Sequence, residues 1–184
     1  MTGHRTPATR ADAVLNRERI LGVAYAAFAE DPRVSLNAVA RLAGVGAGTL
    51  YRHFPTREDL ILAVYRQEVQ SLVAAVPGML DEHPPLEALR GWFLRLADFV
   101  RVKHGLGDAL RTAAAQQAVG ETYEPVTGAV GVLLRACQDA GDVRPGLEPA
   151  DVLLLMGFLW STAPGDTGDR QARRVLDLAV RGLR

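Results

Sequence analysis

Apolar residues recur along this chain at helical spacing, and no stretch sustains the alternation of a strand. Ile20, Ala24, Ala27 and Phe28 stand at i, i+4, i+7 and i+8 and predict a helix over 11–30, ended by Asp31-Pro32. Ser35 is a good N-cap for a short helix with Leu36, Val39, Ala40 and Leu42 on its apolar face. Ala43-Gly44-Val45 breaks it, because Gly44 can take the left-handed conformation that a helix end needs. A second short helix, 46–53, places Leu50 and Phe54 at i, i+4 and stops at Pro55. Thr56 caps a third with Asp59 in a capping box. That helix is expected to run through Leu60, Val64 and Val69 to about Val76, where Pro77-Gly78 should end it.

The remaining sequence also reads as helical. Pro85 opens a helix with Leu89, Phe93, Leu96 and Val100, interrupted at Lys103-His104-Gly105. Helices are expected over 106–117 and 121–140, the latter closed by Gly141. Pro149 starts one over 150–162. After a Pro164-Gly165 turn, Asp166 or Thr167 caps a last helix. The expectation is an all-α fold of about nine helices with short links. The first four form a compact unit, preceded by a disordered polar arm over 1–10.

Composition narrows the class. Of 184 residues, 48% are apolar and 23% charged, enough for a core and a soluble surface. Val152–Trp160 is too short for a membrane span, which needs ~20 residues. Residues 1–19 hold four arginines with no apolar block, so no signal peptide is expected and the location should be cytoplasmic. The lone Cys137 excludes a disulfide framework. The net charge is zero but unevenly spread. Residues 1–66 hold nine arginines against six acids, a surplus of three, and the rest carries the matching deficit. The front therefore suits an anionic partner.

Residues 35–42, a three-residue glycine turn and residues 46–53 describe a helix-turn-helix. The second helix begins with the small residues Gly46, Ala47 and Gly48, which allow close approach to a major groove. Thr49, Tyr51, Arg52 and His53 can donate hydrogen bonds to phosphates or bases. By itself the pattern also fits a structural αα-corner. The residues go further. Ile20-Leu21, Phe28, Ser35-Leu36-Asn37-Ala38-Val39-Ala40 and the unbroken string from Ala43 to Leu60 resemble the DNA-binding domain of the tetracycline-repressor (TetR) family of transcriptional regulators. The likeness covers about residues 15–65.

The resemblance implies a homodimer that binds palindromic duplex DNA. It places an N-terminal three-helix DNA-binding domain at 11–58 and a helical ligand-binding and dimerisation domain at 59–184. The function implied is repression relieved by an unidentified small hydrophobic effector, with no enzyme activity, cofactor or metal. Carried over by position, Thr49, Tyr51 and Arg57 fall on phosphate contacts, Arg57 where the family usually has Lys. Ser35 and Asn37 fall where members touch phosphate and base edge. Gly46, Ala47, Gly48, Arg52 and His53 complete the expected DNA-binding set. Ala47 departs from the longer polar residue of many relatives, which shifts base readout to Arg52, Asn37 and His53.

In Leu89-Arg90-Gly91-Trp92, Asp98-Phe99-Val100, Lys103-His104-Gly105-Leu106, Ala109-Leu110, and near the end Asp151, Leu159-Trp160 and the string from Gln171 to Asp177, the back half resembles an actinobacterial-type subgroup of the family. In its last helix Ala172, Val175, Ala179 and Gly182 form one apolar face, and Leu176, Val180 and Leu183 another. Two apolar faces bury two surfaces, as a helix at a subunit's centre or at an interface would. The family builds its dimer here, so the expected interface is Val152, Leu155, Leu159, Val175, Ala179 and Gly182. Phe99, His104, Tyr123 and Trp160 are the candidate ligand contacts. Other chemistry is excluded by spacing. No strand precedes Gly44-x-Gly46-x-Gly48, no two histidines stand at i, i+4, and Asp81-Glu82-His83 lacks a further ligand. A helical enzyme or lipid carrier would leave Thr49–Arg57 without a purpose.

Overall fold

The computed structural model describes residues 10–105, 113–163 and 165–184. All their regular structure is helical, and they divide into two compact units, 1–65 and 66–184. The division falls inside a helix, later than the 58/59 boundary expected from sequence.

The first unit holds α1 (Arg10–Glu30), α2 (Leu36–Leu42), α3 (Ala47–His53) and the start of α4 (Arg57–Glu82). Residues 1–9 of the expected arm lie outside the described residues, and Arg10 is already helical. Ile20, Leu21, Ala24 and Phe28 of α1 are buried, as are Val39 and Ala40 of α2, Leu50 of α3, and Leu60 and Ile61 of α4. Local chemistry sets the boundaries. The Ser35 hydroxyl accepts the Ala38 N–H at 3.2 Å. Gly44 takes φ +65°, so its N–H reaches the Arg41 carbonyl and the Val45 N–H reaches that of Ala40, a Schellman ending. At the start of α4 the Asp59 N–H donates to Thr56 Oγ1 at 3.1 Å. The Thr56 N–H donates to Asp59 Oδ2 at 3.0 Å, closing the expected capping box.

The second unit adds α5 (Pro85–Gly105), α6 (Ala113–Glu121), α7 (Tyr123–Asp139), α8 (Pro149–Leu155), a 3-10 helix (Met156–Ser161) and α9 (Asp166–Gly182). Helix α5 packs on α7, the 3-10 helix and α9. Trp92, Phe93, Leu133, Leu134 and Met156 are fully buried, and the Trp92 indole N–H is satisfied by the Leu72 carbonyl at 2.9 Å. Ion pairs Arg90–Asp177 and Arg101–Asp169 tie α5 to α9. Gly141 at φ +75° closes α7 with a second Schellman ending.

Several elements differ from the sequence reading. Helix α4 continues through Pro77-Gly78 to Glu82. Proline costs a helix one hydrogen bond and a steric clash, about 3 kcal/mol. Here Pro77 is exposed, Val76 is buried and Met79 lies against Gly91, so packing on both sides of the proline holds the helix. Helix α5 carries through Lys103–Gly105. Residues 106–112, the start of the expected 106–117 helix, lie outside the described residues, as does Pro164 of the expected turn. Residues 150–162 split into α8 and the 3-10 helix. A 3-10 helix aligns i with i+3, which turns both Met156 and Leu159 into the core.

Candidate nucleic-acid interface

The second helix of the helix-turn-helix is α3, which follows the Gly44 ending of α2. Gly46 begins it from an extended conformation (φ −66°, ψ 143°), and its carbonyl accepts the Thr49 and Leu50 N–H groups. Leu50 and Phe54 are buried behind it, and the Arg17 guanidinium lies 5.5 Å from the Phe54 ring centre. With that side occupied, Gly46, Ala47, Gly48, Tyr51, Arg52 and His53 are left exposed, and Thr49 half-buried. Tyr51 retains 43% of its surface despite its size. On α2, Asn37 is exposed. Ser35 is exposed too, and a hydroxyl that accepts a capping bond still has its own proton to donate.

The structure thus brings nine of the expected DNA-binding residues onto α2, α3 and their caps. It treats the tenth differently. Arg57 is half-buried, donates to the Pro32 and Val34 carbonyls and stacks 5.2 Å from the Phe28 ring centre. This inward turn, like Arg17 on Phe54, was missed from sequence. Its only sequence signal was a basic residue and an aromatic one, far apart in the chain.

The expected ligand contacts differ in exposure. Phe99 is core, Tyr123 opens α7 with 57% of its surface exposed and Trp160 is half-buried on the 3-10 helix. The His104 side chain lies outside the described residues. A cleft of about 360 Å³ opens elsewhere, between α4, α6 and α7. Val69, Val73, Ala118 and Pro125 make it apolar, and Arg66 and Glu121, 4.0 Å apart, stand in its wall. Among the described residues no group of acids, histidines and cysteine is arranged to hold a metal. Burial and Asp142 push the Cys137 thiol up to about 11, so it stays protonated and unreactive at neutral pH.

The expected dimer residues also separate. Val152 and Leu159 are buried in the protomer and have no surface to offer a partner: Val152 is the buried residue of α8, and the 3-10 turn aims Leu159 at the core. Leu155 is exposed, Val175 and Ala179 are half-buried, and Gly182 is exposed. Leu154 and Leu178, 79% and 64% exposed, join this set; both were passed over in the sequence reading.

A capped helix-turn-helix whose second helix is anchored from behind and exposed in front fits the class of DNA-binding regulatory proteins. Comparison with known proteins carries this to a family. Residues 20–64 match the model of bacterial regulatory proteins of the tetR family, and residues 84–184 that of the C-terminal domain of SbtR-like transcriptional regulators. A TetR transcriptional regulator from Streptomyces coelicolor is 41% identical, with 91% of this chain and 98% of that one aligned and a TM-score of 0.82. A TetR regulatory protein from Mycobacterium vanbaalenii is 35% identical over 95% of this chain and 98% of that one, with a TM-score of 0.76. An HTH-type transcriptional regulator of Staphylococcus aureus (strain bovine RF122 / ET3-1) is 34% identical over 76 residues, 40% of this chain. The match spans 41% of that curated relative's length. The chain belongs to the TetR family of DNA-binding transcriptional regulators, a non-enzymatic class.

Proposed function

We propose that this protein is a ligand-responsive repressor. It binds a palindromic operator in the bacterial cytoplasm as a homodimer and releases it on capturing a small hydrophobic effector. The observation that carries the reading is α3, with Leu50 and Phe54 buried behind and Tyr51, Arg52 and His53 exposed in front. In this reading Tyr51, Thr49 and Ser35 donate to phosphates, while Arg52, Asn37 and His53 read base edges. The exposed leucines of α8 and α9 support self-association. The apolar cleft lined by Val69, Val73, Ala118 and Pro125 supports an apolar effector.

A footprint on the chain's own upstream intergenic DNA tests the operator. Two protected half-sites in inverted repeat, about 34–36 Å apart or a multiple of it, are expected. One asymmetric site of half that length refutes the dimeric reading. A thermal-shift screen of apolar compounds tests the effector, because a ligand of the native state raises the melting temperature. A compound that raises it must also release the operator; failure to do so refutes the regulatory step.

A further inference from the structure

Arg57 is the first residue of α4, and its partners Phe28, Pro32 and Val34 lie, as it does, inside the first unit. Its Nη2 donates to the Pro32 carbonyl, its Nε to the Val34 carbonyl at 3.4 Å, and its Cζ lies 5.2 Å from the centre of the buried Phe28 ring. Pro32 and Val34 belong to the link between α1 and α2. Val34 directly precedes Ser35, the cap of α2, and α2 leads through a three-residue turn to the cap of α3. One side chain therefore joins the start of α4 to the backbone that aims the helix-turn-helix.

We propose that Arg57 is a positioning residue for DNA binding. It holds the α1–α2 link, and with it the start of α2, in the register that presents α3 to the groove, instead of lending its charge to a phosphate. This rests on the DNA-binding reading above. The chemistry favours arginine over lysine. A planar guanidinium carries its donors in a rigid fork, so it can reach two carbonyls while its face lies on an aromatic ring. An ammonium is a single strongly hydrated point with no face to stack. Bonds from a charged donor are also among the stronger ones, which suits a clamp on a short link.

The two roles separate by substitution. A phosphate contact needs only the positive charge, so Arg57→Lys would keep it, and losing it lowers the slope of log affinity against log salt by about one. A clamp needs the fork and the face, so Arg57→Lys fails to replace it. The probe is the best duplex enriched by the wild-type protein from a random-sequence library. Binding is measured at a temperature where circular dichroism finds every variant folded, so a loss of stability alone leaves affinity unchanged. The expected result is that Arg57→Lys and Arg57→Ala each bind about tenfold more weakly and within threefold of each other. Phe28→Leu, which removes the ring beneath the guanidinium, should give a loss that does not add to that of Arg57→Lys. Wild-type affinity in Arg57→Lys, or losses that simply add, overturns the proposal. Should Arg57→Ala fail to fold, the lysine variant and the double-mutant cycle decide alone. A wild-type protein that enriches no duplex would instead sink the parent reading of DNA binding.

Discussion

Leu178 offers a sharp test of self-association because its protomer hardly needs it. It keeps 64% of its surface exposed on α9, beside the half-buried Val175 and Ala179. Replacement by glutamine keeps a good helix former and suits an exposed position, so the folded protomer loses little. In a two-fold dimer the same patch meets itself, and each substitution counts twice. Fully burying a leucine is worth about 1.5–3 kcal/mol, so covering the exposed two-thirds is worth about 1–2 kcal/mol. The pair of Leu178 side chains then contributes about 2–4 kcal/mol, and Leu178→Gln should weaken the dimer about 30- to 1000-fold. Sedimentation across a concentration series reads the dissociation constant directly, and circular dichroism should find helical content unchanged. An unaltered dissociation constant would mean that α9 does not carry the interface. A variant that loses helix along with the dimer would mean that Leu178 belongs to the protomer's own fold.

Three further outcomes are expected. Arg52→Ala should change which duplex is preferred, while Tyr51→Phe weakens all duplexes alike, each bidentate base contact being worth about 1–3 kcal/mol of discrimination. Equal loss on preferred and random DNA, measured by competition, would remove Arg52 from base readout. Gly168→Ala should lower the thermal midpoint, because a β-carbon there would land on the Ala163 carbonyl oxygen; forced backbone shifts of this kind cost about 1–3 kcal/mol. Burial raises the Glu68 carboxyl above its ordinary value, against the pull of Arg95. The folded state therefore holds that proton more tightly than the unfolded one. The stability this brings is complete below about pH 4.5 and is lost as pH rises through the raised value. Glu68→Gln should accordingly be the more stable protein at pH 7, and its advantage should vanish at pH 4 in paired denaturation curves.

Sequence alone determined what is encoded within a few neighbouring residues. The Ser35 cap, the Thr56–Asp59 box and the Gly44 and Gly141 endings were legible because cap chemistry is local: the donor, the acceptor and the backbone angle lie within one turn. Leu50 and Phe54 were legible as the buried side of α3 because helical spacing puts them there, and the polar residues left over became the candidate DNA face. The tertiary structure decided whatever depended on partners distant in the chain. Pro77 is a helix stop by propensity, but buried Val76 and the packing of Met79 on Gly91 carry α4 past it. Val152–Trp160 is apolar on every side and fits many rotations. Packing sorted its residues: Val152 of α8 and Met156 and Leu159 of the 3-10 turn face the core, while Leu154 and Leu155 of α8 stay exposed. Arg57 shows the same limit at the functional site. Its charge could be read from the chain, but its direction is set by carbonyls more than twenty residues away and by a ring on another helix. A side chain with several rotatable bonds has no direction until its neighbours exist.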